Sequence, residues 1–172
     1  FERLAPYFAE RAAGGVGMII TGGISPNVEG GEGAKLSTSE EALNHKLVTD
    51  AVHAADPDVK ICMQILHGGP LARSEHCVAP SAVKSRIAPH TPKELDEAGI
   101  EKQLADFRNC ASKALEAGYD GVEIIGSAGY LLSTFLVEKT NLRTDQWGGS
   151  YENRMRFPIE VVRRVRQVVG PE

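Results

Sequence analysis

A chain of 172 residues, 42% of them hydrophobic and 24% charged, can bury a sizeable core and reads as one globular domain or part of a larger one. Its formal charge of -4 gives no electrostatic reason to expect nucleic acid or a membrane surface as partner, which leaves a small molecule. Cys62, Cys77 and Cys110 have neither CxxC nor Cys/His spacing, so metal binding and disulfide stapling are both unsupported.

In chain order, Leu4, Ala5, Phe8 and Ala12 recur at helical spacing, and Gly14-Gly15 stop that helix before the apolar run Val16 to Ile20, expected to be a buried strand. Thr21-Gly22-Gly23 follow. The polar stretch from Ile24 to Ser39 is long enough to be a functional loop over a site. A second helix is expected over Glu40 to Ala55, with Leu43, Leu47, Val48, Ala51 and Val52 on one face. Asp56-Pro57-Asp58 breaks it, and Lys60 to Leu66 reads as a second buried strand ending in His67-Gly68-Gly69-Pro70.

Leu71 to about Pro92 reads as irregular. A long amphipathic helix follows, with Ile100, Leu104, Phe107, Cys110, Ala111, Ala114 and Leu115 in register and Gly118 as its stop. Asp120 to Ile125 is the third expected strand, Leu131 to Leu136 a short helical turn, and Tyr151 to Val169 a final helix capped by Ser150 and bent by Pro158. No run of about 18 apolar residues occurs, and the first residues lack a signal peptide's pattern, so the cytoplasm is the expected compartment.

Short apolar strands alternating with helices imply an α/β fold built on a parallel sheet. A doubly wound sheet and a (β/α)8 barrel both satisfy that order. The absence of a G-x-G-x-x-G or P-loop after any strand, and long loops after the strands with short ones before them, favour the barrel. The chain opens on Phe1 and stops where another strand would be due. It is therefore expected to be an internal part of a TIM barrel, truncated at both ends and holding about three strands with their helices.

Barrel active sites lie at the carboxyl ends of the strands, which directs attention to four clusters, with His67 taken together with Gln64. Gly22-Gly23 read either as a tight turn or as bare backbone against a flat ligand. Gln64, an amide inside an apolar strand, needs a hydrogen-bond partner, either a ligand edge or a neighbouring side chain. His67 reads as a structural loop histidine. Tyr130, held by Leu131, Leu132 and Phe135, is either a core cap or a general acid, since a phenol stays protonated at neutral pH. Arg143, Asp145 and Arg154 read as an internally paired scaffold.

The blocks AGYDGVEI, GYLLSTFL and TNLRTDQWGGSYENRMRFPIEVV, with QILHGG before them, resemble the old yellow enzyme family of FMN-dependent ene reductases, over nearly the whole chain. ERLAPYFAERAAGGVGMIITGGISP and VEIIGSAGY resemble its branch of bacterial NADPH-dependent 2,4-dienoyl-CoA reductases. The resemblance implies a partial FMN-binding barrel spanning 1–172, approximately strands 2 to 4 and helices 1 to 4. It implies FMN with NADPH or NADH as reductant, and, beyond this segment, FAD and a 4Fe-4S cluster. By the same resemblance Gln64 bonds the flavin's pyrimidine edge, Gly22 and Gly23 line the cofactor, Tyr130 protonates the substrate carbon, and Lys139 contacts substrate where that branch has an arginine.

Two departures matter. Many family members hold a substrate carbonyl with a His and an Asn, where this chain has Ile125 and Ala128, and Pro70 stands where an arginine is usual. The expected reaction is reduction of an activated C=C bond in a dienoyl-CoA or similar enoyl thioester. The other readings are a general ene reductase, an amine dehydrogenase relative and a non-catalytic barrel piece. The segment alone is not expected to hold FMN.

Overall fold

The computed structural model describes residues 1–171. Strands β1 (Met18–Ile24), β2 (Lys60–Ile65) and β5 (Gly121–Ile124) form a parallel sheet in the order β1-β2-β5. The order never reverses, as successive crossovers of one hand require, and consecutive strands in a barrel wall are wound in this way. The expected α/β architecture on a parallel sheet is what the chain forms.

Helices α1 (Leu4–Ala13), α2 (Ser39–Ala55) and α3 (Glu97–Glu116) all pack on one face of that sheet. Ile19 and Ile24 of β1 and Ile61, Met63 and Ile65 of β2 join Val48 and Val52 of α2 and Leu104, Phe107 and Ala111 of α3 in the core. The opposite face is bare: Met18 is 59% exposed and Ile20 48%. Within this segment the strands are covered by helices on one face only; in a closed (β/α)8 barrel the other face is the interior, filled by side chains from all eight strands.

The helix starts follow local chemistry. At α2, Thr38 accepts from the Glu41 N–H while the Glu41 carboxylate accepts from the Thr38 N–H, a reciprocal capping box. Asp96 caps α3 through the Gly99 N–H, and Ser150 caps α5 (Tyr151–Val169) through the Asn153 N–H. Pro158 lies inside α5 without ending it.

Four expectations need correction. The first strand begins at Met18 and runs on through Thr21-Gly22-Gly23 to Ile24, because those residues continue the ladder with β2 across a bulge. Leu43 and Leu47 of α2 are exposed, since His45 and Thr49 take the inward positions. Both have partners there: His45 Nδ1 meets the Tyr119 hydroxyl at 2.9 Å, and Thr49 Oγ1 donates to the Ala117 carbonyl at 2.6 Å. The stretch after β2 contains a 3-10 turn (Gly69–Leu71) and a two-stranded parallel pair, β3 (Val78–Ala79) with β4 (Lys93–Glu94).

The fourth concerns the polar segment 25–38, which is not a free loop but a packed one anchored on α3. Asn27 donates to Gln103 at 2.7 Å and to Asp106 at 2.6 Å, and Lys102 pairs with Glu29 at 2.7 Å. Its polarity serves that anchorage.

Helix α4 (Leu131–Leu136) joins the core through Leu131, Leu132 and Phe135, and α5 closes over it. The rings of Phe135 and Phe157 stack at 4.1 Å between centroids, both fully buried. Phe157→Ala is expected to destabilise the chain by roughly 3 to 5 kcal/mol in equilibrium unfolding, with Val162→Ala on the exposed side of α5 within about 0.5 kcal/mol of the parent.

Candidate active site

The bare face of the sheet carries Met18, Ile20, Gly22 and Gly23 from β1, Cys62 and Gln64 from β2, and Glu123 from β5. The bulge shapes it. Thr21 and Gly22 together face the single Met63, so the inward–outward alternation of β1 shifts by one residue and Gly22 and Gly23 both lie outside the core. The tight-turn reading of these glycines does not hold. A Cβ on Gly22 would meet nothing within 4 Å, whereas one on Gly23 would sit 2.8 Å from Leu66 Cβ. Gly22 presents open backbone and Gly23 permits a close approach.

Gly23, Gln64 and Glu123 lie in register across the three strands. The bulge takes the Gln64 N–H out of the regular ladder, and it donates instead to Thr21 Oγ1 at 3.0 Å. That hydroxyl in turn donates to the Gly22 carbonyl at 2.8 Å. The Gln64 side chain donates from Nε2 to Glu123 Oε2 at 2.8 Å. Of the two partners open to this amide on sequence grounds, the neighbouring side chain is present. Glu123 was missed by sequence reasoning. Its signal was available: a charged residue inside the expected strand Asp120 to Ile125, like Gln64 inside its own.

Cys62, next to Gln64 on this face, is kept as a thiol: burial, then the charges of Asp120 and Glu123, push its pKa up. It is not an activated nucleophile.

Tyr130 precedes the first residue of α4, with φ -74° and ψ 179°. Two consecutive left-handed residues, Ala128 at φ 61° and Gly129 at φ 79°, turn the chain into that position. The burial of Leu131, Leu132 and Phe135 holds the backbone, as their apolar character implied. The Leu131 N–H donates to the His67 carbonyl at 3.0 Å, tying the loop after β5 to the loop after β2. Gly69 makes the contact possible, since a Cβ there would lie 2.8 Å from the Leu131 backbone. Beside Gly129 a cavity of about 270 Å³ opens, bordered by Pro70, Leu71, Ile87 and Thr134.

Lys139 is exposed on the turn after α4 and forms no salt bridge among the described residues, so the structure does not join it to the Gln64 row. Arg143 bears out its scaffold reading. Buried at its head, it pairs with Asp145 at 2.6 Å and donates to the Pro80 and Leu95 carbonyls. Arg154 goes elsewhere, to the Leu136 and Gly149 carbonyls and to Glu138.

His67 is 1% exposed, stacked 6.2 Å from Phe107, and accepts through Nδ1 from the Gly69 N–H at 3.0 Å. Its Nε2 has no partner among the described residues. Burial lowers its pKa to about 4, against the opposing charge of nearby Glu29. It is a neutral structural ring behind the sheet.

The sequence profile described as the NADH:flavin oxidoreductase / NADH oxidase family matches residues 1–172. A metal reductase from Desulforamulus reducens is 39% identical over 177 residues, covering 99% of this chain and 26% of the relative. The 12-oxophytodienoate reductase 1 of Oryza sativa subsp. japonica is 37% identical over 180 residues, covering 96% of this chain and 47% of the relative. Among solved structures, morphinone reductase superposes with a TM-score of 0.89 at 33% identity, over 98% of this chain and 51% of that one. The chain thus spans between about a quarter and a half of the length of these relatives.

The buried His67 makes a pH signature. With a native pKa near 4 and an ordinary value near 6.5, it binds its proton more readily unfolded than folded. Stability is expected to be unaffected by His67 above about pH 6.5, to fall between 6.5 and 4 by on the order of 3 kcal/mol, and to lose nothing further from this group below that. His45, also lowered by burial, acts in the same sense, so the check is the difference between parent and His67→Gln in unfolding across that range.

Proposed function

Because the chain belongs to the NADH:flavin oxidoreductase / NADH oxidase family, we propose that it is the part of an FMN-dependent barrel enzyme that carries the flavin's polar edge contact and the proton donor. The segment corresponds to approximately strands 2 to 4 and helices 1 to 4 of that barrel. The residues present fit a flat cofactor. Gly22 leaves bare backbone with open space beside it near the carboxyl end of β1, and the Gln64 amide offers hydrogen-bonding groups on the neighbouring strand. Gly22, Gly23 and Gln64 are its contacts in this reading. Bound FMN, reduced by NADPH or NADH, supplies the hydride.

The protein's own contribution is the proton. Tyr130 stands just past the carboxyl end of β5, on a backbone fixed by the buried Leu131 and Phe135 and by the bond to the His67 carbonyl. Its phenol donates to the substrate carbon that develops carbanion character. The substrate is an activated C=C bond, in a 2,4-dienoyl-CoA or similar enoyl thioester in the cytoplasm, with Lys139 meeting its charged portion. The observation that carries this choice is the replacement of the family's carbonyl-holding His and Asn by Ile125 and Ala128. Neither side chain can hydrogen-bond a carbonyl. The extent of the Desulforamulus relative, of which this chain covers 26%, is compatible with further FAD and 4Fe-4S regions in a longer protein.

In the full-length protein, Tyr130→Phe is expected to leave flavin reduction by NAD(P)H within about twofold of the parent and to slow flavin reoxidation by substrate by roughly 10²- to 10⁴-fold. Stopped-flow absorbance separates the two half-reactions; equal loss in both would overturn the role. Comparing kcat/KM for a dienoyl-CoA and a simple cyclic enone tests the thioester choice, and preference for the enone would overturn it.

A further inference from the structure

Gln64 is held at both ends. Its backbone N–H is taken by Thr21 Oγ1 at 3.0 Å and its side-chain nitrogen by Glu123 Oε2 at 2.8 Å, so all three strands of the sheet contribute to its placement. A primary amide alone can flip by half a turn and exchange its donor and acceptor with little change in shape. A carboxylate removes that freedom. Glu123 can only accept, so Gln64 turns its NH2 group toward β5 and uses one N–H there, and its carbonyl oxygen, on the other side of the amide, is the acceptor offered to a ligand.

From this geometry we propose that Glu123 is a positioning residue that locks the amide of Gln64, so that the site presents an acceptor and selects ligands carrying an N–H donor there. The inference rests on the flavin reading above, in which the donor is the imide N3–H of the isoalloxazine. Two further features suit the role. Glu123 is half-buried in mid-strand, in register with Gln64, so its reach is set by the sheet rather than by a loop. The face beside it is lined by Gly121 and Cys62, a small residue and a neutral thiol that do not compete for the carboxylate with a charge.

The test uses the full-length protein, stripped of flavin and titrated with FMN and with N3-methyl-FMN, which lacks the donor. The parent is expected to bind FMN more tightly than the methylated form. In Glu123→Gln, whose amide can accept or donate, Gln64 is free to flip, and the preference for FMN is expected to narrow by roughly tenfold, the worth of about one hydrogen bond. In a Gln64→Ala background, Glu123→Gln is expected to change the preference no further, as required if it acts through Gln64. Glu123→Ala gives the same reading by removing the acceptor outright, and serves if the glutamine variant does not fold.

An unchanged preference in a folded Glu123 variant overturns the proposal, as does an equal weakening for both flavins, which is what general loosening of the sheet would produce. A parent that binds FMN without preferring it to the methylated form overturns the assignment of Gln64 to the imide. A parent that binds no flavin overturns the functional reading itself, which is a different result.

Discussion

Three parallel strands with their crossovers on one side leave one face of the sheet packed by helices and the other free of them, the face that lines the interior of a closed barrel, and most other features of this chain follow from that asymmetry. Parallel strands need long connections, and connections of one hand put α2 and α3 on the same face, where α1 packs against α2. The hydrophobic core therefore lies between sheet and helices. Gln64 and Glu123, within the strands, lie on the face where no helix buries them.

On that face the bulge in β1 is the main local device. By placing Thr21 and Gly22 opposite Met63, it exposes two glycines in succession and frees the Gln64 N–H to bond a side-chain hydroxyl. A regular ladder would have turned Gly23 inward and left no opening of this kind. The same irregularity thus creates the flat backbone surface and anchors the amide beside it. Glu123 completes the row from the third strand, and this contact joins strand residues 59 positions apart in the sequence.

The loops after the strands are positioned by hydrogen bonds between them rather than by their own conformational preference. Leu131 bonds the His67 carbonyl, Gly69 admits the close approach, and Arg143 stitches the segment at 141–149 to Pro80 and Leu95. His67, neutral and buried behind the sheet, serves this assembly. Tyr130 inherits its place from these contacts, with Ala128 held at φ 61° to make the turn. That conformation is one an alanine adopts at some cost, so the turn is maintained by the burial of the residues that follow it.

The sequence by itself determined the helices, with Ser150 legible as the cap of α5 because a cap acts on backbone groups within its own turn, as Thr38 and Asp96 also do, and it determined the order of elements from which a parallel α/β segment follows. It also singled out Gln64 and Tyr130, since an amide inside an apolar strand and a tyrosine after a glycine turn are visible without a fold. Which face of α2 is buried was decided only by tertiary structure: His45 and Thr49 displace Leu43 and Leu47 because Tyr119 and Ala117, about 70 residues away, satisfy them. The end of β1 and the pairing of Gln64 with Glu123 were likewise beyond local reading. Both depend on register between strands, and register is set where side chains from distant segments meet.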